Sequence, residues 1–155
     1  MKYLLTILAT LILNTSALAA MSPRFYETEI LGNWICKDTF PGYIALEFIR
    51  YKKDGTWNSF GQLIVDFPVE ENTVKVNYSA LGTGIWEIEG QSLVSMIDSI
   101  KVINRNHPWL DKYFNMEDQF TLNDKRSEEI VVLSDDYINL QPSTGNPYEC
   151  NKVEI

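Results

Sequence analysis

Apolar and polar residues alternate with a period of two along most of the chain after residue 30, which is the pattern of strands with one buried face. At residues 73–80, for example, every even-numbered position is apolar and every odd-numbered position is polar. The predicted strands lie at 31–37, 44–49, 57–67, 74–80, 86–89, 92–103, 119–123, 129–134 and 137–140. Short strands joined by tight turns predict an antiparallel meander, and closing it into a barrel removes its exposed edges. We therefore expect an all-β fold, a single antiparallel up-and-down β-barrel of about eight strands.

Glycine-containing turns separate several of these strands. The Asp-Gly pair at 54–55 favours a tight hairpin between two apolar runs, and the Gly-Thr-Gly stretch at 82–84 predicts another turn. Residues 92–103 carry apolar side chains on both parities, so their facing is ambiguous. A bulge near Ser95 or Ser99 would switch the buried face within this strand.

Residues 108–115 interrupt the strand pattern. Pro108 suits the first position of a helix. The apolar side chains that would share one helical face are Trp109, Leu110, Tyr113 and Phe114. The sequence therefore predicts one short helix near residues 108–115, whereas residues 20–30 lack a long periodic pattern and are expected to form a lead-in to the first strand.

The first 19 residues have the pattern of a secretory signal peptide. Lys2 gives a positive start, residues 4–13 form an apolar run, and Ala-Leu-Ala at 17–19 supplies the small residues of a cleavage site. The run is about half of the ~20 residues that a membrane-spanning helix needs, so no membrane span is expected. We predict a signal peptide at 1–19 and a single β-barrel domain at 20–155. Because the first cysteine lies well inside the domain, no lipid anchor is expected, and the protein should be periplasmic or secreted.

The chain carries 21 Asp and Glu against 13 Lys and Arg, which gives a net charge of −8. This charge repels nucleic acid and anionic membranes at long range, so neither is expected as a partner. It favours a basic protein or a cationic ligand, although an acidic surface also serves solubility alone. We expect a monomer.

Cys36 and Cys150 are the only cysteines. An even pair in an exported chain predicts a disulfide, because an oxidising compartment lets such bonds persist. The bond would tie the first strand to the C-terminal tail.

The sequence contains no strong catalytic, metal or nucleotide motif. His107 is the only histidine, and its place beside a proline indicates a role in starting the helix. Adjacent acids occur at 70–71, 117–118, 128–129 and 135–136. Neighbouring strand residues point to opposite faces, so we interpret these pairs as solvated charges rather than catalytic dyads. We predict a protein that is not an enzyme and needs no cofactor.

Gly32-Asn33-Trp34 near the start of an exported meander of about eight strands resembles the lipocalin and calycin start. The resemblance implies that Trp34 lies on the first strand and closes the barrel base, with Gly32 before it. It also implies an arginine that packs on this Trp, for which Arg126 is the candidate. The function that it implies is transport or storage of a small hydrophobic ligand in the barrel.

A second resemblance is to bacterial periplasmic lysozyme inhibitors, small barrels whose first strand is disulfide-bonded to the tail. The similar stretches are residues 34–36, 148–150, 79–82 and 86–90. This resemblance implies a different class of function, an inhibitor or immunity protein that acts on a basic enzyme or toxin.

A barrel of about eight strands either fills its interior with side chains or holds one small ligand. Aromatic side chains suit both states. The candidate ligand-binding residues are Trp57, Tyr78, Trp86, Trp109 and Tyr113, and core packing is the alternative role for each. A small hydrophobic ligand is the first predicted partner, and we expect it at the end of the barrel nearer the Trp109 helix.

Overall fold

The computed structural model describes residues 23–69 and 71–154, and the predicted signal peptide at 1–19 lies outside the described residues. Eight strands form a closed barrel, each antiparallel to the next along the chain, and the last strand pairs with the first. The strands are β1 (Gly32–Phe40), β2 (Tyr43–Tyr51), β3 (Thr56–Val69), β4 (Asn72–Glu89), β5 (Ser92–Asn104), β6 (Lys125–Leu133), β7 (Tyr137–Pro142) and β8 (Tyr148–Val153). The predicted fold class, an all-β antiparallel up-and-down barrel, is confirmed.

The seam between β1 and β8 closes the barrel. Cys36 on β1 is directly opposite Cys150 on β8, and their sulfur atoms are bonded at 2.08 Å. The predicted disulfide is therefore confirmed. Because the bond joins residues with a sequence separation of 114, loop-closure entropy gives it a stabilisation of about 4 to 5 kcal/mol.

The predicted turn at residues 82–84 is wrong, because β4 is one continuous strand of 18 residues. Gly82 and Gly84 face the interior, where the indole of Trp57 on β3 lies against them. A Cβ atom on Gly84 would lie 2.8 Å from the Trp57 ring and would overlap the carbonyl oxygen of Met96. These glycines make room for an aromatic side chain rather than for a change of chain direction.

One extra residue on β5 reverses the inward parity of that strand. Adjacent residues of β4 are opposite Ile97 and Ser99, which leaves Asp98 without a partner. Consequently Ile97 faces inward before the bulge and Ile100 faces inward after it. The predicted bulge near Ser99 is confirmed, and it explains why Ile97 and Ile100 both face inward although they differ in parity.

The connection between β5 and β6 packs over one end of the barrel. The stretch predicted as a helix near 108–115 contains a short 3₁₀ helix at Pro108–Lys112, followed by a second one at Glu117–Gln119. The strand predicted at 119–123 is wrong, because Gln119 ends the second 3₁₀ helix and residues 120–123 are irregular. A cluster of buried side chains joins this connection to β4 and consists of Val76, Tyr78, Leu110 and Met116.

A helix, α1 (Pro23–Ile30), lies before β1 in the segment whose sequence predicts an irregular lead-in. Its main signal in the sequence is the spacing of Tyr26 and Ile30 by one helical turn, and both side chains are buried in the core. None of the described helices is long and apolar enough to cross a membrane.

Helix α1 packs at the barrel end opposite the β5–β6 connection. Trp34 on β1 donates from Nε1 to the carbonyl oxygen of Ile30 at 2.7 Å. The cation on its ring is Lys152, whose Nζ lies 5.0 Å from the ring centre and donates to the carbonyl oxygen of Glu29 at 2.9 Å. The expectation that Arg126 packs on Trp34 is wrong, because Arg126 lines the interior cavity instead.

Gly32 permits this arrangement at the start of β1. Its φ of 121° lies in the region that favours glycine. A Cβ atom at this position would lie 3.2 Å from Cε of Lys152, so a side chain would press on the lysine that covers Trp34.

Candidate functional site

A cavity of about 200 Å³ lies inside the barrel. Small residues on the inward faces of β3 and β4 keep this space open. Gly61 is directly opposite Ala80, and Ser59 is opposite Gly82 in the next inward row. The cavity is thus a consequence of four small residues on two neighbouring strands.

Two glutamates from distant strands line the cavity, Glu47 on β2 and Glu128 on β6. Tyr148 on β8 donates from Oη to Oε2 of Glu128 at 2.6 Å. Ser59 on β3 is directly opposite the β2 residue Ile49, and its hydroxyl interacts with Glu47 closely enough to lower the pKa of that carboxyl group. Both carboxyl groups therefore keep acceptor capacity for a bound molecule.

Burial raises the pKa of both glutamates. For Glu47, the removal of the carboxylate from water is the largest effect, and the hydrogen bond with Ser59 opposes it in part. For Glu128, burial again raises the pKa most, the hydrogen bond from Tyr148 opposes it, and the negative charge of Glu47 adds to the rise. Both side chains are therefore harder to ionise than a solvated glutamate.

Tyr51 brings a hydroxyl group to the same cavity. Its side chain is 7% exposed, and its ring lies edge-on to Trp86 with the centroids 5.5 Å apart. Within the described part of the chain, the Tyr51 hydroxyl has no hydrogen-bond partner. Burial raises the pKa of this phenol well above its ordinary value, and the charges of Glu128 and Glu47 add to the rise, so the hydroxyl stays protonated at neutral pH.

Of the five aromatic residues predicted to bind a ligand, Trp57 is the one that lines this cavity. Its Nε1 donates to the carbonyl oxygen of Ile85 at 3.0 Å, which fixes the ring. The Trp86 indole is held by the carbonyl oxygens of Lys52 at 3.0 Å and Thr56 at 3.1 Å. Trp86 therefore packs in the core beside the cavity rather than on its surface.

The other three aromatic candidates lie away from the cavity. Tyr78 is buried in the cluster under the β5–β6 connection, and its hydroxyl is buried without a hydrogen-bond partner among the described residues. Trp109 and Tyr113 are 50% and 71% exposed. Their connection covers the barrel with Leu110 and Met116, so these two rings do not reach the interior.

The alternation of apolar and polar residues does not predict that the two cavity glutamates face inward. Glu128 and Glu129 point to opposite faces of β6, as strand geometry requires, and Glu129 is exposed. The solvated interpretation is therefore correct for Glu129 but wrong for Glu128, which lines the cavity. Glu47 comes from β2, where both parities carry apolar side chains: Leu46 on the outer face is 47% exposed, whereas Ile49 on the inner face is 7% exposed.

The arrangement offers two carboxyl groups, a phenol and an indole around one small space. Among the described residues, no group of three or more His, Cys, Asp or Glu side chains could hold a metal ion. A comparison with protein-family models gives no match, and no curated protein matches the sequence.

Proposed function

We propose that this protein binds one small ligand inside its barrel and does not catalyse a reaction. The observation that carries the proposal is the cavity of about 200 Å³, which is lined by both apolar and polar side chains. A cavity of about 150 Å³ with apolar walls holds benzene. A molecule with one ring and a short side chain therefore suits the space in this barrel.

The closed end of the barrel supports the resemblance to lipocalins. Trp34 lies on the first strand, hydrogen-bonds to α1, and carries Lys152 on its ring. A plug at this end leaves the interior as the place for a ligand. The two glutamates change the expected ligand, because a purely hydrophobic molecule would leave their acceptor groups without partners.

We propose that the protein acts as a monomer in the periplasm or after secretion. The predicted signal peptide favours export, and the Cys36–Cys150 disulfide is of the kind that persists in an oxidising compartment.

The experiment is native mass spectrometry of the protein purified from the periplasm, followed by calorimetric titration of the released compound into the emptied protein. We expect a co-purified small molecule with one binding site per chain. A barrel that carries no molecule, and that binds none from a library of small aromatic compounds, would overturn the proposal.

A pair of variants on β3 separates binding in the cavity from binding on the surface. In Gly61→Val the new side chain points into the cavity, and the Cβ atom would have ordinary contacts of 3.5 Å or more. In Phe60→Val a valine is placed one residue earlier, where the native side chain is 44% exposed on the outer face. We expect Gly61→Val to abolish binding and Phe60→Val to preserve it.

Inhibition of a basic enzyme, or immunity to a basic toxin, is the second proposed function. The net charge of −8 and the exposed acids at the 135–136 turn favour a basic partner. The immobilised protein should then retain a basic envelope enzyme, and lose it as salt screens the attraction. Failure to retain any basic envelope protein at low salt would count against this function.

A further inference from the structure

We infer that the ligand of the cavity carries a protonated amine, which sits between Glu47 and Glu128, and a short apolar group that packs against Trp57. This inference rests on the proposed function, since it names the chemical class of the molecule that the barrel holds.

The first observation is that, among the described residues, neither cavity glutamate takes part in an ion pair. In the described part of the chain, the ion pairs join Lys75 to Asp66 and Lys125 to two surface glutamates, and none reaches the cavity. An enclosed carboxylate without a cation is costly, whereas apolar side chains would fill the same space at no such cost. An ammonium group on the ligand would supply the missing charge.

Arg126 is the one cation that lines the cavity, and it does not neutralise the pair. Its side chain is exposed to solvent. Its electrostatic effect on Glu128 is smaller than the effects of burial, of the Tyr148 hydrogen bond and of the charge on Glu47. Two carboxyl groups against one solvated guanidinium leave the interior with a preference for a cation.

The second, independent observation is the hydroxyl of Tyr51. It reaches the cavity from a side chain that is 7% exposed, and it lacks a hydrogen-bond partner among the described residues. Because Tyr51 lines the cavity, its hydroxyl is free to accept a hydrogen bond from a bound molecule. An ammonium group has three N–H donors, which matches the two carboxyl groups and this phenol oxygen.

The apolar walls decide what else the ligand contains. Trp57, Ile97, Ile100 and Phe120 line the same cavity, and an ammonium near an indole face gains a further attraction. The volume of about 200 Å³ restricts the apolar part to one ring or a short chain. A small aromatic amine therefore fits the charge, the hydrogen-bonding groups and the size.

The test compares three ligands of nearly equal size, 2-phenylethylamine, 2-phenylethanol and phenylacetate, by calorimetric titration into the emptied wild-type protein at neutral pH. We expect the amine to bind at least about tenfold more tightly than the alcohol, because hydrogen bonds to charged groups exceed neutral ones by about this factor. Phenylacetate should bind least. This comparison needs no variant and is independent of any effect on folding.

Variants then assign the contacts. Glu47→Gln and Glu128→Gln should each weaken the binding of the amine by about tenfold or more and leave the binding of the alcohol nearly unchanged. Tyr51→Phe should weaken the amine by a smaller factor. Glu129→Gln is the matched control, because that glutamate is adjacent to Glu128 but exposed. This variant should bind both ligands with the wild-type affinity.

The outcomes separate the two proposals. If the alcohol binds as tightly as the amine, or if neither glutamine variant weakens the amine, the inference of a cation is overturned while a ligand-binding barrel stands. If none of the three compounds binds and the purified protein carries no molecule, both proposals are overturned. Circular dichroism of each variant shows whether a lost signal reflects binding or unfolding.

Discussion

Lys152 Nζ lies 5.0 Å from the centre of the Trp34 indole ring and ties β8 to α1 through the Glu29 carbonyl oxygen. The ring itself is fully buried, and its Nε1 donates to the last residue of α1. One side chain on the first strand therefore connects the helix, the first strand and the last strand at the closed end.

Replacing Trp34 by alanine should lower the free energy of unfolding by roughly 3 to 5 kcal/mol, because the change leaves a cavity in a region that cannot collapse fully. The measurement is urea denaturation followed by circular dichroism. Trp109→Ala is the control, since that ring is half exposed, and its effect should stay below about 1 kcal/mol. An unchanged urea midpoint for Trp34→Ala would show that the indole does not hold the end shut.

Removing the seam disulfide should cost about 4 to 5 kcal/mol of stability. The double variant Cys36→Ala, Cys150→Ala and the reduced wild-type protein should unfold at the same, lower urea concentration. The prediction is wrong if the oxidised and reduced wild-type proteins have equal midpoints.

Gly84→Ala should be strongly destabilising, by about 2 kcal/mol or more, because overpacking beside a fixed backbone forces the core to shift. The new Cβ would press on the Trp57 ring and on the Met96 carbonyl. Gly61→Ala, on the facing strand, meets only ordinary contacts and should be neutral or stabilising by up to about 1 kcal/mol. Thermal melts of the two variants check this contrast, and equal midpoints would contradict it.

The cavity glutamates should make stability fall as the pH rises. Burial raises the pKa of Glu47 and Glu128 in the folded protein above the ordinary value of 4.5. The folded state thus binds more protons than the unfolded state. The contribution of the two neutral carboxyl groups to the free energy of unfolding is therefore fully present below the ordinary pKa, and it is lost as the pH rises through the folded pKa.

The corresponding measurement is the urea midpoint of Glu47→Gln and of the wild-type protein, each taken from about pH 4 to neutral pH. The variant should be the more stable protein at neutral pH, and the difference should vanish near about pH 4. Glu129→Gln should show no such pH-dependent gain. A Glu47→Gln variant that is less stable than wild type at neutral pH would reverse the assigned direction of the shift.

The sequence predicts the barrel well because strand alternation, turn residues and paired cysteines are local or countable signals. It even locates the bulge on β5, since Ile97 and Ile100 differ in parity. It fails at Gly82 and Gly84, where a turn signal instead accommodates a ring from the neighbouring strand.

The cavity is harder to predict for a physical reason. On the outer face of the barrel, apolar side chains lie directly opposite one another across four strands, namely Ile35, Phe48, Phe60 and Leu81. Hydrophobicity therefore does not distinguish the inner from the outer face of β2, and the sequence pattern predicts Glu47 on the surface. Its relation to Glu128 exists only after the ring of strands has closed.

The cysteine seam also determines how the molecule responds to proteases. Because Cys36 and Cys150 enclose most of the chain, a single backbone cut between them leaves both fragments covalently joined. Each strand next to such a cut keeps its hydrogen bonds to neighbours on two sides. A nick at an exposed turn, such as the one that contains Gly145, should thus leave a barrel that runs as one piece on a non-reducing gel and as two pieces after reduction.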